Sequence, residues 1–145
     1  MDLHPFLVHF PISLFFLALL FELLRNTLKW IHENTPLLIF VLASIFSIPS
    51  SFTGNSAKLY LEGIPTILKF LENHENMGTF VTVSGVIFSF YLVYMKLKYP
   101  NMNLSTIKKF IFLIMTLMVF YTGFLGSKIV HEFGPSYQNK MVHKN

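Results

Sequence analysis

There is no cysteine among the 145 residues. That excludes a disulfide scaffold, a Cys-ligated zinc site, an iron–sulfur cluster and a covalently attached c-type haem. Charge is scarce as well. Asp, Glu, Lys and Arg make up 12% of the chain, where a soluble domain carries about 25%. The motifs of soluble catalysis are missing: there is no Gly-rich phosphate loop, no G-x-S-x-G elbow and no H-E-x-x-H. The reading therefore leans away from an enzyme and towards metal binding or electron transfer.

What is abundant is apolar surface. Hydrophobic residues make up 53% of the chain and aromatics 17%, with 17 Phe. Such a composition excludes disorder and belongs to a chain dissolved in lipid. Runs near 20 residues, the length that crosses the hydrocarbon layer, occur four times. The expected spans cover residues 5–25, 36–57, 76–97 and 108–131. Within the uninterrupted apolar runs 5–24 and 110–130, Glu22 is the only charge in the first and Lys128 the only one in the second. Short connections predict a single all-α domain, an integral membrane four-helix up-down bundle. Residues 59–72 repeat Leu and Ile at helical spacing and predict a short interfacial amphipathic helix between helices 2 and 3. Residues 134–145 read as a polar tail. No internal repeat is apparent.

The first span is preceded by Asp2, lacks a basic leader and has no small-residue cleavage site, so it reads as a span and not a secretion signal. Arg25 and Lys29 follow it. Together with Lys96, Lys98, Lys108 and Lys109 they outnumber the basic residues of the opposite side, Lys58, Lys69, Lys128, Lys140 and Lys144. The positive-inside rule then places both termini outside and the first loop in the cytoplasm. The net charge of +4 is a topology signal facing lipid head groups, and no nucleic-acid motif accompanies it. Trp30, Tyr91, Tyr94 and Tyr99 suit an inner aromatic belt, Tyr60 and Tyr137 an outer one. Glu22 is expected to snorkel and pair with Arg25.

The span assignment gathers four histidines at one end of the bundle. His4 and His9 begin span one, His74 begins span three, and His131 ends span four. Ionisable residues inside spans are functional candidates. Several imidazoles without Cys suit b-type haem held between helices, with His9 and His74 as axial ligands, His131 as the alternative partner and His4 near the propionates or entrance. They also suit a zinc or copper site on His4, His9, His74 and His131, with Glu72, Glu75 and Glu132 nearby. A third reading makes the chain an accessory subunit of a larger membrane complex, its histidines holding helices together and a homo-oligomer being one form of assembly. His4 and His9 lie about 140° apart around a helix, so a regular helix cannot aim both at one atom.

The opening His4-Pro5-Phe6-Leu7-Val8-His9-Phe10-Pro11-Ile12 resembles the H-P-x-x-V-H-F-P-I start of a bacterial inner-membrane family, domain of unknown function 2231. Thr53-Gly54, His74 and the close from Gly126 to Gly134 are similar to further family features. His131 departs from them, standing where the family commonly has Tyr. The resemblance covers nearly the whole chain. It implies four transmembrane helices and an outer-end polar cluster with His4, His9 and His74. It also implies a respiratory context with a redox partner.

Overall fold

A computed structural model describes residues 3–58 and 65–133. Five helices follow one another: α1 (His4–Leu7), α2 (His9–Leu24), α3 (Thr35–Lys58), α4 (Pro65–Lys98) and α5 (Ser105–Phe133). There is no strand among the described residues. The stretches His4–Leu24, Thr35–Gly54, Ile67–Lys98 and Ser105–His131 are each long and apolar enough to cross a membrane. Lipid offers no hydrogen-bond partner to a bare backbone, so spans of this kind close their own bonds as helices. Neighbours in sequence are neighbours in space, and α5 returns to α2 to close the square. The result is the expected up-down four-helix bundle.

α1 and α2 are one span with a slight break at Val8. Pro11 has no N–H and cannot bond the Leu7 carbonyl. The Ser50 hydroxyl, 3.0 Å away on α3, donates to that carbonyl instead. The break is thus held by a cross-helix bond.

Small and hydroxylated residues share the interior with the large side chains Phe15, Phe40, Leu92, Phe112 and Met115. Ala18, Ala43, Ser44, Ser47, Ser89 and Thr116 are buried, while Phe16, Phe90, Leu97, Phe110 and Phe124 face outward. Helices in lipid gain nothing by hiding Phe from hydrocarbon. They gain by close approach and by hydrogen bonds, as here. Ser44 Oγ accepts from Ser89 Oγ at 2.9 Å, and Thr116 Oγ1 lies 3.2 Å from the Phe15 carbonyl.

The two helical hairpins carry matched residues, the pattern of an internal two-fold. A shift of 70 positions takes His4 to His74 and Phe15 to Gly85. A shift of 72 takes Phe40 to Phe112, Ser44 to Thr116, Ser50 to Thr122 and Gly54 to Gly126. Burial follows the same mapping: Pro11 and Val81, Leu19 and Ser89, Ala43 and Met115, Ser47 and Val119 are all buried. Three matched pairs touch one another, as residues on a two-fold axis must. Phe40 and Phe112 stack with centroids 4.5 Å apart. Phe15 fills the space left by Gly85, its Cζ 3.1 Å from where a Cβ would stand. His4 and His74 meet at one end.

The expected interfacial helix over 59–72 is not seen as a separate element among the described residues. Residues 65–72 are the first turns of α4, which continues without interruption to Lys98. Residues 59–64 lie outside the described residues, as do the polar tail, Tyr60, Tyr137 and His143. The helical spacing was real, but Ile67 and Leu71 pack on Ile129 of α5. Two residues of the apolar face, Ile67 and Leu71, thus meet protein, while Leu68 is exposed.

At the opposite end Glu22 is fully buried. Arg25 Nε donates to its Oε1 at 2.9 Å. The Ser105 hydroxyl donates to the same oxygen at 3.0 Å. The Lys108 ammonium lies 2.8 Å from Oε2, an ion pair whose angle falls short of a hydrogen bond. The Arg25 pairing agrees with the sequence reading. The snorkelling does not, because α5 brings cation and hydroxyl to the carboxylate inside the bundle.

Candidate functional site

His4 stands at the start of α1, where Pro5 supplies a first-turn residue that needs no N–H. Its Nδ1 faces the Ser50 carbonyl at 3.1 Å and Thr53 Oγ1 at 3.2 Å. A carbonyl only accepts, so Nδ1 carries the proton. Thr53 donates its own hydroxyl back to the helix, to the carbonyls of Pro49 and Ser50. It can therefore only accept from His4.

His74 lies in the third turn of α4, and its Nδ1–H donates to the Thr122 carbonyl at 3.0 Å. The rings of His4 and His74 have centroids 6.2 Å apart and planes at 83°. Both are half-buried. In a neutral imidazole so tied, the lone pair is on Nε2, the pattern by which proteins orient a metal-ligating histidine.

Each ring rests on a glycine. A Cβ at Gly54 would stand 3.1 Å from His4 Cε1, and one at Gly126 3.0 Å from His74 Cε1. Both glycines lie four residues after the carbonyl that accepts the Nδ1 proton. One construction therefore appears twice: a hydroxyl residue whose carbonyl holds the ring, then a glycine that leaves room for it. The motif reads Phe40, Ser44, Ser50, Phe52, Gly54 in α3 and Phe112, Thr116, Thr122, Phe124, Gly126 in α5. That spacing is the signal by which the sequence could have shown the repeat and the roles of Ser50 and Thr122.

The other two histidines stand apart from this pair. His9 is exposed on the lipid-facing side, and its Nδ1 bonds the Pro5 carbonyl one turn back. It lines a groove with Phe6, Phe10, Ser13 and Leu14. His131 is exposed in the last turn of α5. Among the described residues no group of three or more His, Asp or Glu is arranged to hold a metal ion. His4, placed by the sequence reading at an entrance, is thus one half of the central pair, and His9 is not brought to it. His32 belongs to the loop after α2, where its Nδ1 accepts from the Asn34 N–H at 3.2 Å.

The family follows from a family model described as a predicted membrane protein, DUF2231, which matches residues 1–139. This chain belongs to the DUF2231 family. No curated protein and no solved structure matches it. For a DUF2231 protein the two-fold arrangement gives the H-P opening a physical role. His4 reaches Ser50 and Thr53, Pro11 frees the carbonyl that the Ser50 hydroxyl takes up, and Gly54 makes room for the ring.

Proposed function

We propose that this small membrane protein holds a redox metal centre, b-type haem first among the choices, between His4 and His74. The observation that carries the reading is the pair itself: two imidazoles from opposite hairpins, each tied through Nδ1 to a helix carbonyl, meeting at 6.2 Å. An ion bound by one nitrogen of each ring at about 2.0–2.1 Å would set the centroids roughly 6 Å apart. A porphyrin supplies four further nitrogens, so two protein ligands suffice. A zinc site wants three or four protein ligands, and the pair has no third His, Asp or Glu arranged with it among the described residues. Copper, which imidazole also suits, is the bare-metal alternative. The reading moves the axial pair from His9 and His74 to His4 and His74. It keeps the expected setting: a bacterial inner membrane, both termini outside, and a redox partner in a respiratory complex.

The test is an absorbance spectrum of detergent-purified protein supplied with haem during expression, oxidised and then reduced with dithionite. The expected result is a Soret band that shifts on reduction, with sharpened α and β bands. His4→Ala and His74→Ala each abolish it, and His9→Ala leaves it in place. A featureless spectrum overturns haem. Stoichiometric copper in that sample would move the assignment to a bare metal, and neither group would leave a histidine clasp between hairpins.

A further inference from the structure

The groove beside His9 is a different site from the His4–His74 pair. It has a volume of 700 Å³ and is lined by Pro5, Phe6, His9, Phe10, Ser13 and Leu14. Phe6 and Phe10 pack edge to face at 5.3 Å, and Phe10 stacks on Phe46 of α3 at 5.1 Å. One wall is therefore fixed to the neighbouring helix. The other side is open to lipid, with Phe6 64% exposed.

Two polar groups interrupt this apolar surface. The Nδ1 of His9 is taken by the Pro5 carbonyl, which leaves Nε2 as an acceptor in the neutral ring. Nε2 makes no hydrogen bond among the described residues, nor does the Ser13 hydroxyl one turn deeper. That is unlike Ser44, Ser47, Ser50, Thr116 and Thr122, which all bond back to their own helix. His9 lies about 7.5 Å further along the helix than His4. A lone pair at that depth, facing hydrocarbon, is costly unless the bilayer supplies a donor. The second hairpin does not repeat the feature. Its matched positions are Asn76, Thr79 and Val83 in place of Phe6, His9 and Ser13.

We infer that this groove binds a lipid-soluble hydroquinone. Its ring lies against Phe6 and Phe10, and one hydroxyl donates to Nε2 of His9. The second hydroxyl reaches Ser13, and the apolar tail runs past Leu14 into the bilayer. Side chains four apart on a helix are neighbours on one face, so His9 and Ser13 present an acceptor and a hydroxyl along the same wall of the groove. A phospholipid tail would use the apolar wall but satisfy neither polar group. The inference stands apart from the haem reading, because it needs only α1, α2 and α3.

The experiment is an anaerobic calorimetric titration of the full chain, with no haem added, in detergent. The ligands are a short-chain ubiquinol and its dimethyl ether, which keeps ring and tail but has no donor. The expected result is saturable binding of the quinol, with the ether about tenfold or more weaker. His9→Leu should weaken quinol binding by a similar factor, Ser13→Ala by less, and Thr79→Ala not at all. His9 and Ser13 are exposed, so both variants are expected to fold, with melting temperature as the check. Absent saturable binding, equal binding of quinol and ether, or an unaffected His9→Leu would each overturn the inference. So would a homodimer that His9→Leu dissociates and quinol does not, because a second copy would then cover the groove.

Discussion

At the histidine end of the bundle the two hairpins carry matched residues, and at the Glu22 end they do not. His4 answers His74, Ser50 answers Thr122 and Gly54 answers Gly126, with ring-to-glycine approaches of 3.1 and 3.0 Å. At the far end the same mapping sets Glu22 against Leu92 and Pro36 against Lys108. All four are buried. One hairpin supplies the carboxylate and the other supplies Lys108 and Ser105 to meet it. The matched end suits something that lies on the axis and is held equally from both sides. The unmatched end locks the hairpins together by complementary charge, which a symmetric pair of carboxylates could not do.

The largest effect is expected at the unmatched end. Glu22→Ala leaves the buried Lys108 and the half-buried Arg25 without their carboxylate, a change that costs about 3–5 kcal/mol when one partner of a buried pair is removed. Combining Glu22→Leu with Lys108→Leu should recover most of that loss, since an apolar replacement of both partners is often neutral. Thermal unfolding in detergent measures both. If Glu22→Ala were harmless, the charge cluster would not lock the hairpins.

The matched end makes a demand of a different kind, namely equality. Gly54→Ala and Gly126→Ala each push a methyl into an imidazole and should cost about 1–3 kcal/mol, as overpacking does. The two losses should be similar, and if the proposed haem sits between His4 and His74 each variant should also bind less of it. A large loss at one position with none at the other would break the two-fold account of the site.

The four spans were legible because lipid imposes them: an apolar run of sufficient length has few other fates. The clustering of His4 and His74 at one end was legible for the same reason. Which way each ring turns was not. His4 and His9 differ by about 140° around the helix, and nothing in the hydropathy says which one faces α3. The contact with Ser50 decides it, and that depends on how the hairpin packs. The repeat was hidden because its hydroxyl, aromatic and glycine positions are isolated within apolar runs, and because the shift is 70 in one pair of helices and 72 in the other. The packing of Ile67 and Leu71 on Ile129 was not legible, because that partner is distant in sequence. Pro65 suits a first helical position, so it could open α4.

Midway along the axis the comparison sharpens to one pair. Phe40 and Phe112 are both fully buried and stack with planes 12° apart. A double-mutant cycle on Phe40→Leu and Phe112→Leu should give a coupling of about 0.5–1.5 kcal/mol. The two single losses should be similar. Additive losses would mean that the rings pack on their surroundings and not on each other.

The smallest effect lies outside the membrane, in the contact that joins the loop after α2 to the end of α4. Lys96 Nζ donates to Glu33 Oε1 at 2.8 Å, and both side chains are solvent-accessible. The hydrogen bond and charge of Lys96 hold the Glu33 carboxyl below its ordinary value of 4.5. A carboxyl with a lowered folded-state pKa stabilises the fold above its unfolded pKa. That contribution is lost as pH falls from near 4.5 through the folded value. In Lys96→Gln the melting temperature should therefore fall less over that acid range than in the parent. Solvent screening keeps the difference slight, and high salt should erase it. A difference that survived high salt would mean that Lys96 also acts through packing, and the unmatched end would then extend beyond the buried cluster around Glu22.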